Sequence, residues 1–154
     1  MTAERHLAAL REMREIIEEE SREKALRKIA HILRRRFRHY TWVGFYWLQG
    51  DELVLRAYSG DAETTHKTIP LGKGICGAAA KGGETIVVPD VSKDSRYLMC
   101  FMDTKSEIVV PIKYAAKVLG EIDIDSNHLE AFTQEDKLLL ESLAAVLAEE
   151  QSKT

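Results

Sequence analysis

The sequence predicts a single α+β domain in which helices at both ends of the chain pack on an antiparallel sheet. Charged segments with apolar residues at helical spacing lie near the two ends, and β-branched or alternating segments separated by short turns lie between them. The predicted order is α-α-β-β-β-α-β-β-β-α, and strands joined by hairpin-length turns pair antiparallel. The predicted domain spans residues 1–154, with a helical segment over 1–40 and the sheet core and C-terminal helix over 41–154.

Three long helices are predicted from periodicity and from capping residues. The first covers residues 3–20, where apolar residues recur on one helical face. These residues are Leu7, Leu10, Met13, Ile16 and Ile17. A second helix follows Ser21, a residue type that caps helix N-termini, and it ends before Trp42. The C-terminal helix begins after Thr133, because Asp136 three residues later completes a capping-box pattern.

Six strands are predicted between these helices. They cover residues 42–48, 53–58, 67–71, 85–88, 106–113 and 117–126. A short helix over 75–81 follows the glycine turn at 72–74. Residues 89–103 form a long irregular segment that contains Cys100, and a structureless loop of about this length in a compact domain is usually functional or disordered.

Composition excludes several functional classes. The formal charge of −3 gives no reason to expect nucleic acid binding, and the basic cluster at 34–39 suits the C-terminal end of a helix. There is no apolar stretch of about 18 residues to span a membrane and no apolar N-terminal signal segment, so we expect a cytoplasmic protein. With two cysteines and scattered histidines, neither a disulfide scaffold nor a metal site is expected.

Several segments, in the right order, resemble motifs of the GAF domain family over roughly residues 40–150. They are the Gly-x-Gly-Ile-x-Gly turn within 69–77, the segment 88–97, and the paired segments 104–112 and 118–126. The resemblance implies a six-stranded antiparallel sheet with helices packed on it, which agrees with the order of elements predicted from periodicity.

A narrower resemblance is to the free methionine-(R)-sulfoxide reductases, an enzyme family with the GAF fold. The residues that carry it are Trp42, Tyr46, Cys76, Cys100, Glu107, Asp123 and Asp125. The resemblance implies thiol-dependent reduction of free L-methionine-(R)-sulfoxide, with Cys100 as the catalytic cysteine, Cys76 as the resolving cysteine and a thioredoxin-like reductant for their disulfide. It implies no cofactor. Many members have a third cysteine where this chain has His66, so this is a two-cysteine version.

Both cysteines have a chemical and a purely structural interpretation. Cys100 lies in the long loop, where a nucleophile is commonly placed, or it is a small buried apolar residue between Met99 and Phe101. Cys76 begins a short helix, whose backbone amides lower the pKa of a thiol, or it replaces an aliphatic core residue.

Three carboxylates are candidates for catalysis and for substrate binding. Asp123 and Asp125 share a strand face, with Ile122 and Ile124 on the other, and Glu107 lies on the partner strand of the hairpin. If this face lines a pocket, the carboxylates raise one another's pKa, so that one serves as a general acid, and they can also bind an ammonium group. The alternative is a solvated sheet edge.

Aromatic residues of the first strand are candidates for the substrate methyl group. Trp42 and Tyr46 share a face, where they either enclose this group or belong to an ordinary core. Phe45 and Trp47 point the other way and are predicted to be core residues. His66 and Asp103 are weaker candidates, and His66 is expected at the surface.

Two other functions remain open on the residues alone. One is a small-ligand-binding or signalling GAF module without chemistry, and the other is a dimerisation module built on the first helix. A chain of this length leaves no room for the output domain that usually accompanies a sensory GAF domain, which favours the enzyme. The apolar stripe of the first helix exceeds what the sheet needs, so we expect a homodimer.

Overall fold

The computed structural model describes residues 2–99 and 101–152. Its helices are α1 (Thr2–Glu19), α2 (Arg22–Arg36), α3 (Gly74–Gly82) and α4 (Gln134–Ser152). Its strands are β1 (Trp42–Gln49), β2 (Glu52–Ser59), β3 (Thr68–Pro70), β4 (Ile86–Val88), β5 (Ser106–Tyr114) and β6 (Lys117–Ser126). The predicted α+β class and all predicted helices and strands are confirmed. The long irregular segment additionally contains a short 3-10 turn at Val91–Lys93.

One antiparallel sheet contains all six strands, in the order β3-β2-β1-β6-β5-β4. Because side chains alternate across a strand, β1 and β6 contribute to two separate cores. Phe45, Ile122 and Ile124 belong to the core under α1, α2 and α4. Trp42 and Tyr46 belong to a smaller core under α3. Trp47 lies with Phe45, so the prediction that both face away from Trp42 and are core residues is confirmed.

The N-terminal ends of α2 and α4 are capped in different ways. At α4 the predicted capping box is present, since the backbone N–H of Thr133 donates to Asp136 Oδ2 at 2.9 Å and that of Asp136 donates to Thr133 Oγ1 at 3.3 Å. At α2, Ser21 occupies the N-cap position but its side chain makes no capping hydrogen bond. Its carbonyl oxygen accepts from Ala25 N at 2.8 Å instead.

Asp136 also ties three separate parts of the chain together. The Tyr40 hydroxyl donates to it at 2.5 Å, and the Nε2 atoms of His6 and His39 lie 3.2 and 3.4 Å from its carboxylate. Burial alone would raise the pKa of Asp136, but these hydrogen bonds and that from Thr133 hold it well below its usual range. The carboxylate therefore fixes α1 and the α2–β1 connection against α4.

In the part of the chain that the structure describes, no helix is long and apolar enough to cross a bilayer.

The glycine turn before α3 requires glycine at one position for packing. A Cβ atom on Gly77 would lie 2.6 Å from the carbonyl oxygen of Pro70, which is backbone and cannot move aside. We expect Gly77→Ala to lower the free energy of unfolding by about 1–3 kcal/mol, as overpacking does. In the same helix Gly82 has nothing within 4 Å of an added Cβ, so Gly82→Ala should leave stability unchanged or slightly higher. Urea denaturation of both variants tests this, and equal losses would contradict it.

Candidate active site

The face of the sheet under α3 carries four acidic side chains. Asp123 and Asp125 lie on β6 and Glu107 lies on β5, where it pairs directly with Asp125. Glu121, two residues before Asp123, shares the same face. Their exposed fractions are 5% or less, and that of Glu121 is 0%. The alternative of a solvated sheet edge is therefore wrong.

Sequence reasoning missed Glu121. The signal was present, because the segment 121–125 alternates strictly between acidic residues and isoleucine, and the alternation places Glu121 with the two aspartates. The structure adds that neither carboxylate oxygen of Glu121 has a nitrogen or hydroxyl donor among the described residues. Its polar neighbours are the Cys76 thiol and Asp123.

Helix α3 places a thiol directly above these carboxylates. The glycine turn, with positive φ at Gly72 and Gly74, leads into the helix, and Cys76 in its first turn is 6% exposed. The Cys76 sulfur and carboxylate oxygens of Glu107 and Asp123 all lie within 4.8 Å of one another. These three residues are a possible set of metal ligands, which their sequence separation did not suggest.

Burial raises the pKa of every carboxyl group in this cluster. For Glu107 the next causes are the charges of Asp123 and Asp125, and its pKa lies well above the usual range. The pKa of Asp123 is raised less strongly, because Glu107 and Cys76 stabilise its charge by hydrogen bonding. Hydrogen bonding therefore favours the charged form of Asp123, whereas burial and the neighbouring charges favour a proton on Glu107. The prediction that these carboxylates raise one another's pKa is confirmed for Glu107 and Asp125, whose pKa values the charge of Asp123 raises, but not for Asp123, whose charge Glu107 stabilises.

The prediction for the pKa of Cys76 was wrong in sign. Burial, followed by the negative charges of Asp123, Glu121 and Glu107, raises the pKa of the thiol well above its usual range. These contributions outweigh the effect of a short helix N-terminus, which decays within one turn. Cys76 is therefore a protonated thiol at rest.

Trp42 lies on the same sheet face as the cluster and pairs with Asp125 across β1 and β6. A Cβ on Gly44 or on Gly60 would lie 2.2 Å from the indole, so both positions must be glycine for the ring to fit. Tyr58 stacks on the ring at a centroid distance of 5.9 Å, and Phe101 contacts it at 5.5 Å. The indole N–H is buried and has no acceptor among the described residues. A buried donor without a partner is costly, so a ligand that supplies an oxygen would be favoured here.

The remaining predicted residues surround this face. The Tyr46 hydroxyl donates to the carbonyl oxygen of His66 at 2.8 Å. His66 itself is half-buried rather than free at the surface, and its Nε2 atom lies 3.3 Å from the carbonyl oxygen of Met99. Asp103 is exposed, and its charge contributes, after burial and Asp123, to the raised pKa of Asp125.

Cys100, the predicted nucleophile, lies outside the described residues. The residues on either side of it contact the site, Met99 through His66 and Phe101 through Trp42. The structure thus brings together Trp42, Tyr46, Cys76, Glu107, Asp123 and Asp125 on one face of the sheet.

Comparison with known proteins identifies the family. The GAF domain family matches residues 21–150. The free methionine-R-sulfoxide reductase of Saccharomyces cerevisiae is 44% identical over 110 residues, which span 69% of this chain and 60% of the yeast protein. The Escherichia coli protein of the same name is 34% identical over 75% of this chain and 69% of its own length.

A solved structure extends this likeness over nearly the whole chain. The free methionine-R-sulfoxide reductase of Neisseria meningitidis, solved in complex with its substrate, superposes with a TM-score of 0.92 and 33% identity. The superposition covers 99% of this chain and 91% of the Neisseria chain. This chain therefore belongs to the GAF domain family, among the relatives of the free methionine-R-sulfoxide reductases.

Proposed function

We propose that this protein reduces free L-methionine-(R)-sulfoxide to methionine. The observation that carries the proposal is the set of buried carboxyl groups beside a thiol and an unpaired indole N–H, all on one sheet face. This arrangement offers a proton donor, a negative charge and an apolar ring within one site. The relatives named for this activity support the same substrate, although the match spans only 60% of the yeast protein.

Substrate binding follows from the charges and from the aromatic ring. A free amino acid carries an ammonium group. An ionised Asp123 would attract this group, and Asp125, on the same face of β6, could bind it as well. The Trp42 ring provides apolar contact for the S-methyl group, and its N–H can donate to a substrate oxygen. Tyr46, held by His66, completes the apolar side of the site. The ammonium requirement restricts the substrate to the free amino acid.

In the proposed first step, the Cys100 thiolate attacks the sulfoxide sulfur. The attack forms an S–S bond, and as the oxygen passes from the substrate sulfur to the Cys100 sulfur the S–O and S–S bonds both break. Methionine leaves with the electron pair of the S–S bond. The protonated Glu107 carboxyl donates to the oxygen as negative charge develops on it. The substrate sulfur gains two electrons, and Cys100 becomes a sulfenic acid.

In the second step, the Cys76 sulfur attacks the sulfur of the sulfenic acid. A disulfide forms between Cys76 and Cys100, and the hydroxyl leaves as water after taking up a proton. A thioredoxin-like dithiol then reduces this disulfide. Because such reductants keep thiols reduced in the cytoplasm, the proposal includes a cytoplasmic location. Cys76 must lose its proton for the attack, and Glu121 and Asp123 are the adjacent acceptors.

A coupled assay tests this function. The wild type and Cys100→Ser are supplied with free methionine-(R)-sulfoxide, thioredoxin, thioredoxin reductase and NADPH, and oxidation of NADPH is followed. We expect turnover in the wild type, none in Cys100→Ser, and none with the S epimer or with a peptide containing the sulfoxide. A folded, reduced wild type without turnover that still binds the sulfoxide would instead indicate a ligand-binding GAF module.

The packing of Trp42 gives a prediction for the binding step. Gly60→Ala places a methyl group 2.2 Å from the indole Cδ1 atom, so the ring must move out of its position. Because small misplacement of a positioning group is costly, we expect kcat/KM to fall by about 100-fold. Gly82→Ala, where an added Cβ meets nothing, is the matched control. Intrinsic tryptophan fluorescence reports the ring displacement independently, and unchanged kinetics with a displaced ring would contradict the role of Trp42.

A homodimer through α1 and α4 is also part of the proposal. Leu7 and Leu138 are 61% and 54% exposed, and they line an apolar groove of about 250 Å³ between these helices. We expect Leu7→Glu with Leu138→Glu to shift the protein to a monomer in light scattering. Leu129→Glu, at a residue of equal exposure outside the groove, should leave the dimer intact. A wild type that is monomeric at all concentrations would contradict the proposed homodimer.

A further inference from the structure

The cluster beneath α3 has the composition and spacing of a cation site. Cys76, Glu107 and Asp123 contribute one thiol and two carboxyl groups from three separate elements. Their candidate ligand atoms all lie within 4.8 Å of one another. In a tetrahedral zinc site, with Zn–S near 2.3 Å and Zn–O near 2.1 Å, two ligand atoms lie about 3.4–3.6 Å apart. Side-chain movements of about 1 Å would therefore bring all three onto one ion.

A second feature points to a positively charged ligand in the same place. One oxygen of Asp123, one of Asp125 and both of Glu121 are buried without a nitrogen or hydroxyl donor among the described residues. No salt bridge from a described basic side chain reaches these acids or Glu107. Four acids in a desolvated space, without a countercharge from the described residues, favour a cation, and the oxygens that lack a nitrogen or hydroxyl donor are available as further ligands.

The thiol determines which cations fit. Carboxylates alone suit hard ions such as Mg²⁺ or Ca²⁺, which prefer six or more oxygen ligands. A thiolate beside two carboxylates instead suits Zn²⁺ and its analogues Co²⁺ and Cd²⁺. Three protein ligands leave the fourth tetrahedral position for water or for another acid of the cluster.

We propose that Cys76, Glu107 and Asp123 bind one thiophilic divalent cation, and that this cation inhibits the enzyme by competing with the substrate ammonium group. The competition rests on the proposed function, whereas the binding does not. The cation would neutralise the carboxylates that attract the substrate ammonium group. It would also hold Cys76 as a metal-bound thiolate, which cannot attack a sulfenic acid. Occupied and substrate-bound forms would then exclude each other.

Cobalt titration of the full, reduced chain under anaerobic conditions tests the binding. Co²⁺ bound by a thiolate gives a sulfur-to-cobalt charge-transfer absorption in the near ultraviolet, and we expect it to saturate at one ion per chain. Cys76→Ser should abolish the band, while Cys100→Ser should retain it. Asp123→Asn should weaken binding at least tenfold, and Glu84→Gln, at an exposed acid outside the cluster, should not. Zn²⁺ should displace Co²⁺ and remove the band.

The outcomes separate the cation site from the reductase. No band in a chain that turns over methionine sulfoxide would overturn the cation site and leave the enzyme intact. A band without turnover would support the site and count against the proposed function. With both present, Zn²⁺ should raise the apparent KM for the sulfoxide linearly with its concentration. A band lost in Cys100→Ser but kept in Cys76→Ser would overturn the assignment of the ligands.

Discussion

Replacement of Glu107 by glutamine is expected to reduce kcat/KM by about 100-fold or more while making the folded protein more stable at neutral pH. Glutamine keeps the shape of the side chain and can donate hydrogen bonds to Asp123 and Asp125, but it cannot give up a proton to the departing oxygen. A general acid contributes about 10²–10⁴-fold to rate, which sets the expected loss. A lowered kcat with little change in KM would indicate loss of the proton donor rather than of binding.

The gain in stability follows from the sign of the pKa shifts. Burial, with the charges of Asp123 and Asp125, raises the pKa of Glu107 in the folded state above its unfolded value. The folded state therefore binds this proton more tightly than the unfolded chain does. The stability that Glu107 contributes is highest below the pKa that it has in the unfolded chain. It is lost as pH rises toward the pKa of Glu107 in the folded state. The loss in the wild type should extend from about pH 4 upward into the neutral range.

Thermal denaturation at acidic and at neutral pH measures this effect. We expect Glu107→Gln to gain stability relative to the wild type from the acidic to the neutral condition, because one of the coupled acids is gone, whereas Asp136, with its lowered pKa, contributes alike to both proteins. Glu84→Gln, at an exposed carboxylate, should follow the wild type. A stability difference between the wild type and Glu107→Gln that is the same at both pH values, or a Glu107→Gln variant with normal activity, would contradict the assignment of Glu107 as the buried acid.

Local sequence patterns predicted which side chains share the acidic face of the sheet under α3. Strict alternation along β6 placed Asp123 and Asp125 opposite Ile122 and Ile124, and the spacing of Trp42 and Tyr46 placed both on one face of β1. These predictions succeeded because a strand reverses its side chains at every residue, which depends on no distant contact. The same rule would have included Glu121 if the alternation had been followed one step further toward the N-terminus.

Properties that depend on tertiary contacts could not be predicted in this way. The pKa of Cys76 depends on three carboxylates that α3 meets only after the sheet has formed, and these reverse the effect expected from the helix terminus. The position of the Trp42 ring depends on Gly60, which lies 18 residues away on the far side of the β1–β2 hairpin. The grouping of Cys76 with Glu107 and Asp123 joins residues from three elements. No local spacing carries that information.

Replacement of Cys76 by serine is expected to leave the first turnover intact and to abolish the following ones. The first step uses Cys100 and the acid cluster, so it does not require a second thiol. Serine is close in size to cysteine, and at a site that is 6% exposed it should disturb the packing little. A burst of about one methionine per chain should therefore be followed by arrest at the sulfenic acid.

Rapid-quench measurement of methionine, with mass spectrometry of the Cys100 peptide after trapping with dimedone, separates the two steps. In the wild type the trapped sulfenic acid should be scarce, because Cys76 converts it to a disulfide, whereas in Cys76→Ser it should accumulate to nearly one per chain. Cys100→Ser should show neither the burst nor the adduct. Steady turnover of Cys76→Ser at the wild-type rate would show that the external dithiol reduces the sulfenic acid directly. Cys76 would then act in this site only through its position beside Glu107, Glu121 and Asp123.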